Sequence, residues 1–382
     1  MIIPVWYNLR SLFVRRTTSI ASAGGIALVA LVLAGSLMLA AGVERTVAGH
    51  GRDDVAVVLR TGSDAELNSG VSAADAAIVR SAVGDAKVSA EIVVVAAVPK
   101  KTGEGFANLT LRGLGDEGRA MRSGFSLVEG RLPAPGSDEA IVGVRIRGRL
   151  AHLELGDSLE LRPGRPVKLV GVFACAGDSA ESEVWIDRDA LAAAFGRAGS
   201  FSSLRVALPS ADAVRTLSST VQADRRLGVS VQSERAFLEK QSASLSLFLR
   251  VMGTLIAVLF SVGAIMGAVI TMHGSVAGRT REIGALRALG FPRSAVFGGF
   301  LLEATALAVL GGFVGASASL LLGFVEISMT NYTTWSELSF GFTPTPSIFV
   351  TAVVFSGGMG IVSGLAPAIR ASRITPIEAL RS

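Results

Sequence analysis

Apolar positions along this chain come in two textures. Four runs are long and nearly unbroken, and each reaches the roughly 20 apolar residues that a helix needs to cross a bilayer. Thr18 to Val43 carries no charged residue, and neither does Val251 to Met272 nor Ser347 to Ile369. The run from Ala295 to Val325 is broken only by Glu303. Between the first and second runs the pattern changes to short apolar stretches separated by turn residues. Strand-like runs are Val55–Arg60, Val88–Val98, Phe106–Leu111, Ala140–Val144, Ser158–Leu161, Val167–Phe173, Glu183–Ile186 and Ser203–Leu208. Helical runs are Ala73–Val83, Arg188–Phe195, Asp212–Val221 and a lead-in to the second apolar run from about Ser233. Strands and helices mix without regular alternation, which points to α+β rather than a doubly wound sheet.

The expected fold is an all-α, four-helix transmembrane domain with a large α+β extracytoplasmic domain inserted between spans one and two. The boundaries read as an amphipathic interface helix at 1–17, span one at 18–43, the external domain at 44–245 and span two at 246–273. A cytoplasmic loop follows at 274–294, span three at 295–325, a short external loop at 326–346, span four at 347–369 and a cytoplasmic tail at 370–382. The Gly/Pro-rich stretch Gly130 to Gly136 suggests a boundary between two lobes of the external domain. Ahead of span one, Val5, Leu9, Leu12 and Phe13 recur at helical spacing with Arg10 and Arg15 off that face, as in a helix lying in the interface. A cleaved signal peptide is the alternative there, and it leaves the downstream topology unchanged.

Charge sets the orientation. Arg10, Arg15 and Arg16 precede span one; Arg279, Arg281, Arg287 and Arg293 follow span two; Arg370, Arg373 and Arg381 end the chain. The 326–346 loop has neither lysine nor arginine. The positive-inside rule puts both termini and the 274–294 loop in the cytoplasm. Trp6 and Trp335 then fall near opposite interfaces. Half of the 382 residues are hydrophobic and 18% are charged, and the mean hydropathy is +0.53. The net charge of +5 follows from these loop arginines and does not call for nucleic acid as a partner. The single cysteine, Cys175, excludes an intrachain disulfide.

Candidate chemistry is concentrated on the cytoplasmic side. Arg279 to Arg293 reads as a short helix stopped by Gly290 and Pro292, with Ile283, Leu286 and Leu289 on an apolar side and Arg279, Glu282 and Arg287 carrying charge. It suits docking of a cytoplasmic partner; a basic loop that only anchors topology is the alternative. Thr375-Pro-Ile-Glu378 is a capping box that predicts one more short helix. Glu303 lies about two turns inside span three, where an acid is costly; pairing with an arginine of the cytoplasmic segments is the simpler reading, ion coupling the other. Gly311 with Gly315, and Gly360 with Gly364, form GxxxG pairs that permit close helix packing, within the chain or between chains. Gly113 to Gly118 matches GxGxxG, but Asp116 and Glu117 would repel a pyrophosphate. No P-loop, HExxH or GxSxG run occurs, and His50, His152 and His273 lack metal-ligand spacing. We therefore expect no catalytic, cofactor or metal site in these residues. Asn108-Leu-Thr110 is a sequon that matters only in a secretory pathway.

Arg281-Glu-Ile-Gly-Ala-Leu-Arg-Ala-Leu-Gly290 resembles the coupling-helix signature of MacB/FtsX-type ABC transporter permeases. Phe300-Leu-Leu-Glu303, Gly311-Gly-Phe-Val-Gly315, Pro367 to Arg373 and Pro376 to Arg381 resemble the third span and C-terminal ending of that family. Glu129-Gly-Arg131, Glu139 to Gly143, Gly156-Asp157 and Val170-Gly-Val-Phe173 resemble its extracytoplasmic domain. The resemblance implies a bacterial inner-membrane permease, a homodimer or one of a pair of similar permeases, bound to two copies of a cytoplasmic ATPase that brings ATP and magnesium. Arg281, Glu282, Ile283, Arg287 and Leu289 would contact that ATPase. Its cycle would move the external domains and drive export or extraction of a substrate from the outer leaflet or periplasm, with a periplasmic adaptor as a further partner and lipid around the spans. A module that signals to an external partner without transport is the alternative. MacB itself carries a fused ATPase ahead of its first span, which these residues do not show, so a separate ATPase subunit is expected.

Overall fold

The computed structural model describes residues 16–101, 103, 105–331 and 336–376. In chain order the elements begin with α1 (Arg16–Ala48), β1 (Val55–Arg60), β2 (Val71–Ser72), α2 (Ala73–Val83), β3 (Lys87–Pro99), β4 (Phe106–Leu114) and α3 (Asp116–Met121). They continue through β5 (Phe125–Gly130), β6 (Glu139–Gly143), β7 (Ser158–Arg162), β8 (Arg165–Cys175), β9 (Glu183–Asp187), α4 (Arg188–Phe195), β10 (Ser200–Phe201), β11 (Ser203–Ala207), α5 (Ala211–Ala223) and β12 (Val229–Ser233). The last part holds α6 (Glu234–Ala277), α7 (Thr280–Ala288), α8 (Arg293–Ser319), β13 (Glu326–Asn331), β14 (Ser336–Gly341) and α9 (Pro346–Arg373). Helices α1, α6, α8 and α9 are long and apolar enough to cross a membrane. Residues 1–15 of the expected interface helix at 1–17, Trp6 among them, lie outside the described residues, as do Trp335 and Glu378 of the tail.

The chain folds as two compact units. The helical unit is made of the described parts of Met1–Ala41, Leu247–Val325 and Phe342–Ser382. Small residues set its packing. A Cβ on Gly311 would stand 2.6 Å from the Ala23 carbonyl oxygen, and one on Gly315 would collide with the Ala27 carbonyl one turn further along α1. Gly360 and Gly364 do the same for α9 on α8, where a Cβ would press on the Ala308 and Ala304 methyls. Both GxxxG pairs therefore serve contacts within the chain, because only a missing side chain lets these backbones meet. Around them Ile26, Val29 and Leu33 pack with Ala257, Ala308 and Met359. Along α6 a stripe stays uncovered: Leu247, Val251, Leu255, Leu259, Val262, Met266 and Ile270 are all exposed.

The second unit, Gly42–Ser246 with Glu326–Gly341, is built on one ten-stranded mixed sheet in the order β12-β1-β11-β3-β4-β9-β6-β8-β5, with β7 paired to β8. Val88, Ala90, Ile92, Val94 and Val98 share one face of β3, and two cores follow one another along it. Val88 and Ala90 pack with β1, β11, β12, α2 and α5, while Ile92, Val94 and Val98 pack with β4, β6, β8, β9 and α4. Helix α2 starts where the Ser72 hydroxyl accepts the Asp75 amide at 3.0 Å, and α5 turns Val214, Leu217 and Val221 inward. Lys87–Glu91 of β3 pairs with β11 and Ile92–Pro99 with β4, so this strand joins two strand sets, each with its own core. The Gly130–Gly136 stretch is the turn that leaves edge strand β5, with Gly130 at φ +78° backed against the Val170 carbonyl. The expected short loop at 326–346 is also revised. It forms the antiparallel pair β13–β14, which belongs to this sheet-containing unit. There the Ser339 amide donates to Ser182 Oγ at 3.2 Å, and Arg145 donates to the Ser339 carbonyl at 3.2 Å.

Candidate functional site

Helix α7 forms between two breaks. It follows the end of α6 at Ala277 and stops at Gly290, whose φ of +93° suits only glycine without strain. Ile283 is 2% exposed and packs with Met272, Val276, Val296, Phe300, Ala368 and Ala371, which fastens the short helix to the ends of α6, α8 and α9. The opposite side presents Arg281, Glu282, Ala285, Ala288 and Leu289, the last 72% exposed. One of the residues expected to face a partner is therefore reassigned. Ile283 points into the bundle, because a nine-residue helix with one apolar side must bury that side. Arg287 is half-buried and donates to the Phe291 carbonyl at 2.9 Å, closing the turn into α8.

Glu303 is buried in α8 and accepts Arg279 Nη1 at 2.9 Å. Arg279 lies just before α7, so the acid inside the apolar run is matched by a loop arginine. A charge left alone at such a position would be strongly unfavourable. Thr375 lies just beyond α9.

A second constellation, in the sheet-containing unit, escaped the sequence reading. Arg112 on β4 donates Nε and Nη2 to Glu183 at 2.7 and 2.8 Å, Nη2 to Glu66 at 2.9 Å and Nη1 to Glu91 at 2.9 Å. Arg122 reaches Glu91 at 2.7 Å, and Arg205 on β11 pairs with Glu234, the first residue of α6. Register explains the meeting: Glu91 lies opposite Ser203, and Arg112 lies opposite Val93, so Glu91, Arg112 and Arg205 share one sheet face. Burial pushes the Glu66 carboxyl up, but Arg112, Arg205 and the Ser203 hydroxyl outweigh it and hold it well below the usual range. Glu91 is likewise lowered, burial being overcome by Arg122, Arg205 and Arg112. The charges line a cavity of about 80 Å³. The legible signal was a lone charge inside each apolar strand run, as in Ser89-Ala-Glu-Ile92 and Leu109-Thr-Leu-Arg112. Among the described residues no group of three His, Cys, Asp or Glu side chains could hold a metal ion.

Residues 18–224 match the MacB-like periplasmic core domain, and residues 254–376 match the FtsX-like permease C-terminal domain. The chain belongs to the MacB/FtsX-type ABC transporter permeases. As a member of that family with four membrane-compatible helices, it is a multi-pass membrane protein. It is 36% identical over 146 residues to the macrolide export ATP-binding/permease protein MacB of Rhodopirellula baltica, covering 35% of this chain and 20% of that protein. It is 26% identical over 229 residues to the uncharacterized ABC transporter permease YknZ of Bacillus subtilis, covering 57% of this chain and 55% of that one. The chain thus spans a fifth of MacB and about half of YknZ. Among solved structures it resembles the periplasmic region of MacB from Actinobacillus actinomycetemcomitans (12% identity, TM-score 0.38, 53% of this chain and 95% of that one). It also resembles the extracellular domain of YknZ (19% identity, TM-score 0.34, 47% and 100%). In this permease Arg279, α7 and Glu303 lie within the FtsX-like segment. Glu66, Glu91, Arg112, Arg122, Glu183 and Arg205 lie within the MacB-like one.

Proposed function

We propose that this permease couples ATP hydrolysis in a separate, two-copy ABC ATPase to movement of its sheet-containing unit, for export or extraction of a substrate on the far side of the inner membrane. The observation that carries the reading is the two-sidedness of α7. One side is locked into the bundle through Ile283, and the other presents Arg281, Glu282 and Leu289. A helix held this way transmits force applied at its outer side instead of tilting freely. The Arg279–Glu303 pair ties the start of α7 to α8 and adds a second attachment.

The arginines of the 274–294 loop and of the tail support, by the positive-inside rule, a cytoplasmic position for that side, with the sheet-containing unit between spans one and two facing outward in this reading. In this reading ATP and magnesium are brought by the partner ATPase. The exposed α6 stripe is the surface on which a second permease chain or lipid acyl chains would lie. A periplasmic adaptor is compatible with export.

Co-purification with a co-expressed ABC ATPase tests the docking. Leu289→Glu and Ala285→Glu each leave the buried side of α7 untouched and should lower ATPase recovery at least tenfold, while Arg215→Glu on α5 leaves it unchanged. Full recovery of the ATPase with both α7 variants would overturn the assignment.

A further inference from the structure

A groove of about 430 Å³ lies in the sheet-containing unit, between α2 and α4. Its walls are small: Ala73, Ala76 and Ala77 from α2, and Ala192 and Ala193 from α4. Phe201 lines it, and the Ala73 amide donates to the Gly199 carbonyl at 3.0 Å, tying the start of α2 to the strand that carries Phe201. A volume in the range of about 300–1,000 Å³ typical of ligand sites is too large for a single ion.

The charges around the groove are one-sided. Arg80, Arg188 and Arg197 line it, and Asp189 is the one acid there, already held by Arg188 at 2.9 Å. Arg197 is half-buried, yet it is satisfied by neutral oxygens alone: the Val93 carbonyl at 3.2 Å, Ser202 Oγ at 3.1 Å and the Ser69 carbonyl at 3.5 Å. Burial without a carboxylate lowers its pKa, so its charge is held at a cost that an incoming anion would relieve. Arg80 is exposed and has no ion pair among the described residues.

The geometry points to this groove as a docking site for an acidic polypeptide segment of an extracytoplasmic partner, which brings bulky apolar anchors for the alanine walls and carboxylates for Arg80 and Arg197. Alanine walls leave the bulk to the occupant, and the excess of arginine selects its sign. An acyl chain would meet charge on both walls. The site is remote in sequence from α7 and does not depend on how the ATPase docks.

The test is selection of a random-peptide phage library on the full-length chain in phosphatidylcholine nanodiscs. Groove-dependent clones are those that lose binding on Ala77→Trp and Ala193→Trp, two exposed positions whose replacement fills the groove without touching either core. These clones should carry net negative charge, weaken at least tenfold on Arg80→Glu, and weaken further in high salt. Failure to obtain groove-dependent clones would overturn the proposal, as would clones that are neutral or basic. Displacement of the selected peptides by inorganic phosphate or phosphatidylglycerol vesicles, but not by polyglutamate, would assign a small-anion or lipid site and overturn it as well.

Discussion

Replacing Arg112 by methionine should give this protein a stabilising response to mild acid that the native protein lacks. The side chain is central to the buried network. Without it Glu183 loses both its guanidinium bonds, and Glu66 keeps only the Ser203 hydroxyl and Arg205 at 3.8 Å. Breaking a buried pair from one side costs about 3–5 kcal/mol. For a unit of roughly 200 residues this lowers the melting temperature by about 6–20 °C. In the native protein Glu66 and Glu91 are held below their unfolded values. Their stabilisation is therefore complete above the unfolded carboxylate value of about 4.3 and is lost as pH falls through the lower folded values. In the variant, burial without Arg112 drives the Glu66 carboxyl upward. The folded state then takes up protons before the unfolded one, and stability increases as pH falls from 7 towards 5. The assay is thermal unfolding of the full chain in detergent, followed by tryptophan fluorescence. Trp185 stacks on Phe173 at 4.0 Å and donates to Glu183 at 2.8 Å, so it reports on the network directly. A shift under about 3 °C, or the same pH profile in both proteins, would refute the reasoning.

Three further outcomes follow from the same geometry. Gly315→Leu should block the approach of α8 to α1 and sharply reduce the folded yield by size-exclusion chromatography, whereas Gly298→Ala in the same helix, with open space at its Cβ, should be neutral or stabilise by up to about 1 kcal/mol. Glu303→Gln should leave Arg279 with only the longer Glu282 contact at 3.9 Å and lower the melting temperature, and adding Arg279→Met should restore part of the loss; a double variant no better than Glu303→Gln would sink the pairing. Cys175 is 1% exposed, and burial, helped by Asp178, pushes its thiol up to about 12. It should resist iodoacetamide at pH 8 in the folded protein and react at once in guanidinium, which mass spectrometry reads as a single added label.

The elements that were legible in the sequence share a reason. Val55–Arg60 and Ala73–Val83 show clean periods bounded by turn residues, and the structure starts and stops them there. Strand β5 was not legible because its burial lies at one end only: it is the edge of the sheet, and its other residues face outward. The β13–β14 pair was hidden by serines and threonines that carry little apolar signal, although Leu338 and Phe340 alternate inward. At the candidate site the α7 helix was readable from its stop signals. Its inner and outer sides were not, because Ile283 and Leu289 look alike until α6, α8 and α9 show which of them is covered. The buried network was out of reach for a related reason. Glu91, Arg112 and Arg205 come from segments far apart in sequence, and only strand register brings them onto one face, while Glu66 arrives from the short turn before β2.

The β13–β14 hairpin bears on how members of this family can be recombined. The sheet-containing unit is a discontinuous piece of chain, and its smaller part is encoded more than 75 residues after the larger one ends. A chimera that exchanges only Gly42–Ser246 would therefore pair a foreign Ser182 and Arg145 with a native hairpin, and the seam between them would be untested by selection. Exchange of both segments together moves the unit intact. Substitutions in the hairpin should then track substitutions near residues 145–182 more closely than those in the helices that flank it.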